Sequence, residues 1–313
     1  MVLCKRGSAV KRIAQSLVIF VVFFAGTTSL CAQIKEPPVS STQPPNLLVL
    51  VRREFFPGKS SARQKLETAI SRVCEHLNVP NEWIDLEALT GHPEALSFDP
   101  FDSFEEIDHA GAEWPQIFAR NAELGRLQGE LENLVSSQRT LIAVRRDDVG
   151  YRPNSIDLSK ARVMRLLEVH LFPGHEGDFV EALQVLAAAY ERINSDTPWV
   201  VYQVNVGDSL PSFLVIVPMA ALRQNDDLLS RRLDLLRFEG EESAERLQQI
   251  AREAFASTES NLYTISAEMS HVFKEFADND PEFWRRKSAS EQKPTPPKPP
   301  AKPSGKGSNS EQQ

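Results

Sequence analysis

Cysteine is scarce in this 313-residue chain, which has only Cys4, Cys31 and Cys74. The spacings Cys-x-x-Cys, His-Glu-x-x-His, Gly-x-Ser-x-Gly and Gly-x-x-x-x-Gly-Lys-Ser/Thr do not occur. The zinc, serine-hydrolase and phosphate-loop chemistries that depend on them therefore have no footing here. Positive charge is also short where the fold should lie: residues 33–284 carry 24 Lys+Arg against 41 Asp+Glu. A nucleic-acid partner needs a basic surface to displace counterions from phosphates, and this body is acidic.

What is present at the start is a basic segment, Met1 to Arg12, followed by the apolar run Ile13 to Gly26. That order of charge and hydrocarbon is an export signal, 1–32, with cleavage expected after Ala32. The protein is then periplasmic or secreted, or membrane-anchored through this segment alone if it is not cleaved, the run being just long enough to span about 30 Å of hydrocarbon. Cleavage leaves Cys74 as the only cysteine, so no internal disulfide is expected. Residues 33–45 form a Pro/Ser linker with little to bury, and 285–313 a disordered Lys/Pro-rich tail with 7 Lys+Arg against 2 Asp+Glu.

Between these ends the sequence repeats. Phe56-Pro57-Gly58 returns as Phe172-Pro173-Gly174, an offset of 116 that also carries Leu77-Asn78 onto Ile193-Asn194, Trp83 onto Trp199 and Gly91 onto Gly207. Matches at one offset and in one order point to two copies, 46–146 and 162–284, joined by 147–161. Each begins with a short aliphatic strand, Leu47–Val51 or Val163–Leu167, that runs into the Pro-Gly turn. A helix follows, with Ala62, Leu66, Ala69, Ile70, Val73 and Leu77 at helical spacing in the first copy. In the second the spacing selects Phe179, Leu183, Leu186, Ala189, Tyr190 and Ile193. A hairpin, a second helix and a closing strand complete each copy. The second helices run through Ile117, Leu124, Leu127, Leu131 and Leu134, or Leu247, Ile250, Ala251 and Phe255. The fold class is α+β: two tandem ferredoxin-like β-α-β-β-α-β units packed sheet to sheet, so that each covers the sheet face the other leaves bare.

The stretch Leu171-Phe-Pro-Gly-His-Glu-Gly-Asp-Phe179, through Trp199 to Pro218, resembles the antibiotic-biosynthesis-monooxygenase-like group of dimeric α+β barrel proteins. Phe56-Pro-Gly-Lys59 resembles it more weakly. The resemblance implies an intramolecular version of the group's dimer. The group includes cofactor-free monooxygenases, haem-degrading enzymes and proteins with no known activity, so it does not fix a function. None of its catalytic or haem-ligand residues matches a position here.

The six histidines, His76, His92, His109, His170, His175 and His271, show no ligand spacing, and a structural role outweighs metal binding for each. The acidic run Asp99 to His109 reads as a helix cap at Asp102 or Ser103 followed by first-turn acids, and no metal is assigned to it. Cys74 aligns with Tyr190 on the helix face and reads as buried filler. A candidate pocket is assembled from His170, Trp199, Tyr202, Gln203, Asn205, Trp83 and Phe98. No cofactor is assigned, with haem and flavin left open; the partner is an unidentified small molecule or envelope protein. The expectation is a non-catalytic binding or structural module of the cell envelope, and the alternative is a small-molecule monooxygenase or related enzyme with an apolar pocket in one barrel half.

Overall fold

The computed structural model describes residues 41–226, 229, 230 and 240–285. The expected leader, most of the linker and the basic tail beyond Arg285 lie outside them. The first half runs β1 (Leu47–Phe55), α1 (Ser60–Leu77), β2 (Trp83–Ala88), β3 (Glu94–Phe101), α2 (Phe104–Arg120), α3 (Ala122–Glu132) and β4 (Val135–Arg145). The second runs β5 (Val163–Leu171), α4 (Glu176–Arg192), β6 (Val200–Val206), β7 (Ser212–Met219), α5 (Gly240–Ala254) and β8 (Phe255–His271), and two single-turn helices, α6 (Lys274–Ala277) and α7 (Pro281–Trp284), follow.

The eight strands close into one antiparallel barrel in the order β1-β3-β2-β8-β5-β7-β6-β4. The halves therefore meet through two hydrogen-bonded seams, β2 with β8 and β4 with β6, as well as through a shared interior. Alternation in each strand decides what faces inward. Leu48 and Leu50 on β1, Leu86 on β2, Phe98 on β3, Leu166 on β5 and Tyr263 on β8 meet in the interior core, while their odd-numbered or even-numbered neighbours face the helices.

Strand bounds and register correspond between the halves. Leu47–Phe55 becomes Val163–Leu171 at an offset of 116, and the hairpin pair Ile84↔Phe98 becomes Val200↔Ile216 at offsets of 116 and 118. Glycine is required where the β6–β7 turn passes the β4 edge: Gly207 has φ +97, and a Cβ there would stand 2.2 Å from the Thr140 carbonyl oxygen.

Several elements differ from the sequence reading. The second helix of the first half is broken at Asn121, whose side chain accepts from the Leu124 N–H and starts a new helix, and Leu134 falls after it. Phe255 starts β8 instead of ending a helix. The Pro/Ser linker is not idle either. Pro44 and Pro45 are buried at one end of the barrel, where Tyr202 Oη donates to the Pro45 carbonyl at 2.9 Å. Phe276 and Trp284 close the same end, because an open barrel interior has to be covered by something apolar. At the other end the interior turns ionic. Arg52 pairs with Glu94 at 3.3 Å and with Glu168, its counterpart 116 residues on, and Tyr263 Oη donates to Glu94 at 2.6 Å.

Candidate active site

The helix α1 shows how the site arises. Its buried residues are Arg63, Glu67, Ile70, Ser71 and Cys74. Of the positions read from the sequence, Ile70 is buried and Leu66, Ala69 and Val73 pack half-buried beside it, while Ala62 and Leu77 are exposed. The buried stripe also takes in Arg63 and Glu67, which carry charge into the space between α1 and the sheet. From the sheet, β1 adds Arg53, β2 adds Asp85, and β3 adds Ser97 and Asp99, all on the helix-facing side. The helices α2 and α3 supply Trp114, Phe118, Leu124 and Leu131. Between them lies a cavity of about 210 Å³, lined also by Glu67, Ile70, Trp83, Gln128 and Met269.

The same register positions in the second half are hydrocarbon. Arg53, Arg63, Glu67 and Asp85 become Val169, Phe179, Leu183 and Val201 at an offset of 116, and Ser97 and Asp99 become Val215 and Val217 at 118. Those residues pack into one apolar cluster with Trp199 and Tyr190. The fold does not need a polar layer here, because one half of the same barrel does without it. Burying ions costs several kcal/mol each before pairing offsets it, so the first half keeps its charges against the preference of the fold.

The charges are arranged around Arg63, which is 3% exposed. Its guanidinium stands 2.9 Å from Asp85, 2.6 Å from Glu67 and 3.5 Å from Glu87, and lies over the Phe55 ring at 5.1 Å. Arg53 reaches Glu67 only at 3.9 Å. Burial pushes the Glu67 and Asp85 carboxyls above the usual carboxylate range, the charge of Asp85 pushing Glu67 up further and the two arginines pulling both down. Asp99 is pushed up to about 6 by burial, opposed by the Ser97 hydroxyl that donates to it and by Arg53.

These carboxyls hold protons more tightly folded than unfolded, so their contribution to stability is largest at low pH and is lost as pH rises. For Asp99 the window runs from its unfolded value near 4 to about 6, worth up to about 3 kcal/mol at about 1.4 kcal/mol per unit. Chemical denaturation should give a stability that declines between pH 4 and 7, and Asp99→Asn should flatten the slope. A stability that rises over this interval in both proteins contradicts the assignment.

The residues expected to form a pocket are not brought together. Trp83 alone lines the cavity, its Nε1 donating to the Met269 carbonyl at 2.9 Å and its ring 6.4 Å from that of Trp114. Phe98 and Tyr202 face the barrel interior. Trp199 is packed against Tyr190 at 4.4 Å in the second half. Gln203 accepts from Arg146 at 2.6 Å, and Asn205 is exposed on β6. His170 lies at the ionic end of the interior, 3.2 Å from Asp208 and from Ser257. Residues on opposite faces of a strand cannot converge. Of the acidic run, Ser103 caps α2 by accepting from the Glu106 N–H, while Asp99 turns into the cavity. Cys74 is buried in the cluster of α1 with α3. Among the described residues no group of His, Cys, Asp and Glu is placed to hold a metal ion.

No family model matches the chain, and no curated protein matches it. Solved structures do resemble it in fold. An anthrone oxidase-like protein is 13% identical with a TM-score of 0.47, over 73% of this chain and 94% of that one. A protein provisionally described as a monooxygenase from Lactobacillus acidophilus NCFM is 8% identical with a TM-score of 0.43, over 70% and 93%. A heme-binding protein from Thermus thermophilus is 7% identical with a TM-score of 0.42, over 71% and 92%.

The expectation of a non-catalytic envelope module, which had rested on a lost site, is corrected by the polar layer under α1. The cavity itself does not fit a haem. Its lining offers no imidazole, thiolate or phenol, and a tetrapyrrole is several times larger than the one ring a space of this size admits, benzene itself occupying a cavity of about 150 Å³. The chain folds as an α+β protein, one closed eight-stranded antiparallel barrel whose two halves lie in one polypeptide.

Proposed function

We propose that the protein is a small-molecule monooxygenase or related enzyme whose substrate, a compound of about one substituted ring, occupies the cavity between α1, α2, α3 and the first-half sheet. The observation that carries this reading is the contrast between the halves: six polar residues line one sheet-to-helix layer where the other holds only hydrocarbon. Perturbed carboxyls in an apolar-walled cavity are what proton-transfer chemistry uses. Asp99 suits the role of general base, since a group titrating at about 6 is ionised at neutral pH yet still basic enough to take a proton. Ser97 orients it. Trp83, Trp114 and Phe118 wall the ring and keep water away, which strengthens every charge inside. A ring methylene deprotonated there could react with dioxygen to give a carbonyl and one water, which balances without an added reductant. On the strength of its leader, the enzyme would work outside the cytoplasm.

The test is oxygen uptake by the purified full chain with a panel of phenols and ring-activated methylenes. At least one compound should support uptake, with a rate that rises with pH through about 6 as Asp99 ionises. Asp99→Asn should lower that rate at least about 100-fold, the lower end of what a general base contributes. No uptake with any member of the panel, or an unchanged rate in Asp99→Asn, overturns the reading.

A further inference from the structure

The charges around the cavity also say what kind of substrate it takes, an inference that rests on reading the cavity as a substrate site. Three carboxylates, Glu67 from α1, Asp85 from β2 and Asp99 from β3, meet two guanidinium groups, Arg53 from β1 and Arg63 from α1. Glu87 on β2 draws on Arg63 as well. The α2 and α3 walls add no charge, only Gln128 among apolar and aromatic side chains. Carboxyl groups therefore outnumber guanidinium groups around the cavity, and burial keeps the surplus one, Glu67, protonated at neutral pH.

Glu67 is the carboxyl to which a cation would be added. It is 5% exposed, it lines the cavity, and neither of its carboxylate oxygens accepts a well-directed hydrogen bond. Its close neighbour Arg63, 2.6 Å away, is shared with Asp85 at 2.9 Å, and Arg53 is 3.9 Å away. Across the space stand Trp83, Trp114 and Phe118, with ring centroids 6.4 Å apart for the first pair and 5.4 Å for the second. Aromatic walls beside an unsatisfied carboxylate attract a cation with an organic body, the rings through their quadrupoles and the carboxylate through its charge. The second half, with Leu183 at the position of Glu67, has no such site.

We infer that the cavity takes a ring compound bearing an ammonium group, with Glu67 as its counter-ion and Trp83 and Trp114 as its aromatic walls. An entering cation adds a counter-charge to a carboxyl whose close guanidinium, Arg63, is shared with Asp85. The carboxyl then ionises and its proton passes to solvent, so binding at neutral pH releases a proton.

The probes are benzylammonium, benzyl alcohol and benzoate, added to the full chain at pH 7 and followed by tryptophan fluorescence and calorimetry. Benzylammonium should bind at least about tenfold more tightly than the alcohol, with benzoate weaker than both. Its apparent heat should change with the ionisation enthalpy of the buffer as the released proton is taken up. Glu67→Gln should remove the preference. Should that variant not fold, proton release by the unsubstituted protein decides alone. Equal affinity for the alcohol and the ammonium, or binding without proton release, overturns the cation and leaves the pocket standing. Failure of all three ring compounds to bind overturns the pocket reading too.

Discussion

Arg63→Ala should cost about 3 to 5 kcal/mol of stability at pH 8, the penalty of leaving buried carboxylates without their counter-charge. Arg63 is 3% exposed and is the close cation for both Glu67 and Asp85. The cost should be smaller at pH 5, because both carboxyls already lie above the usual range and can neutralise by taking up a proton. Replacing the whole layer is a different matter. The combined variant Arg53→Val, Arg63→Phe, Glu67→Leu, Asp85→Val, Ser97→Val and Asp99→Val writes the second-half residues into the first half. A buried ion cluster exchanged for hydrocarbon of similar volume is often neutral or stabilising by about 1 to 4 kcal/mol. The fit is imperfect, since Cys74 stands where the second half has Tyr190, and a misfit in a packed core costs about 1 to 3 kcal/mol. Urea denaturation should therefore place the combined variant within a few kcal/mol of the native protein and far above Arg63→Ala, with ring binding abolished. An Arg63→Ala protein as stable as the native one would mean that the cluster is hydrated and that its charges are not held against the fold.

The barrel was legible in the sequence because it rests on spacing. Alternation fixes which side of Leu48, Leu50 or Leu166 faces inward, and the Phe-Pro-Gly turns at 56–58 and 172–174 mark where each first strand ends. The seams were not legible. Nothing in β2 or β8 says that they pair, because pairing of distant edges is set by closure of the whole sheet and not by local pattern. The site was missed for a reason the sequence itself contains. Hydrophobic periodicity selected Ala62 and Leu66 on α1 because those residues are apolar, and it passed over Arg63 and Glu67 because they are charged. The better signal was the alignment of the two halves. Phe179 and Leu183 were read as the buried face of α4, and carrying them back 116 residues lands on Arg63 and Glu67. Charge at a core position of one half is a sharper pointer to chemistry than a lone histidine. His170 looked promising because it is polar and at a strand end, yet its partners are Asp208 and Ser257, away from the cavity.

Expressed separately, residues 41–146 and 147–285 should each fail to fold cooperatively alone, while an equimolar mixture recovers the native transition. Separation opens both seams, so the edges of β2 and β4 lose β8 and β6 as partners. It also bares the inward face of each half-sheet. In the first fragment this face holds Leu48, Leu50, Ile84, Leu86, Leu96, Phe98 and Leu141, none of them more than 5% exposed in the intact protein. Fully burying such a side chain is worth about 1.5 to 3 kcal/mol, so even partial exposure of these residues rivals the 5 to 15 kcal/mol by which a whole domain is typically stable. The second fragment loses more, because Pro44 and Pro45, which close the end of its interior at Tyr202, stay with the first. Helix packing on the outer face does not compensate, since α1 with α3 and α4 with α5 cover only the sides that already face them. Circular dichroism during heating and the native mass of each fragment decide the matter. Two monomeric fragments with sharp separate transitions would mean that each half-sheet carries its own core, and the shared interior would then not hold the halves together.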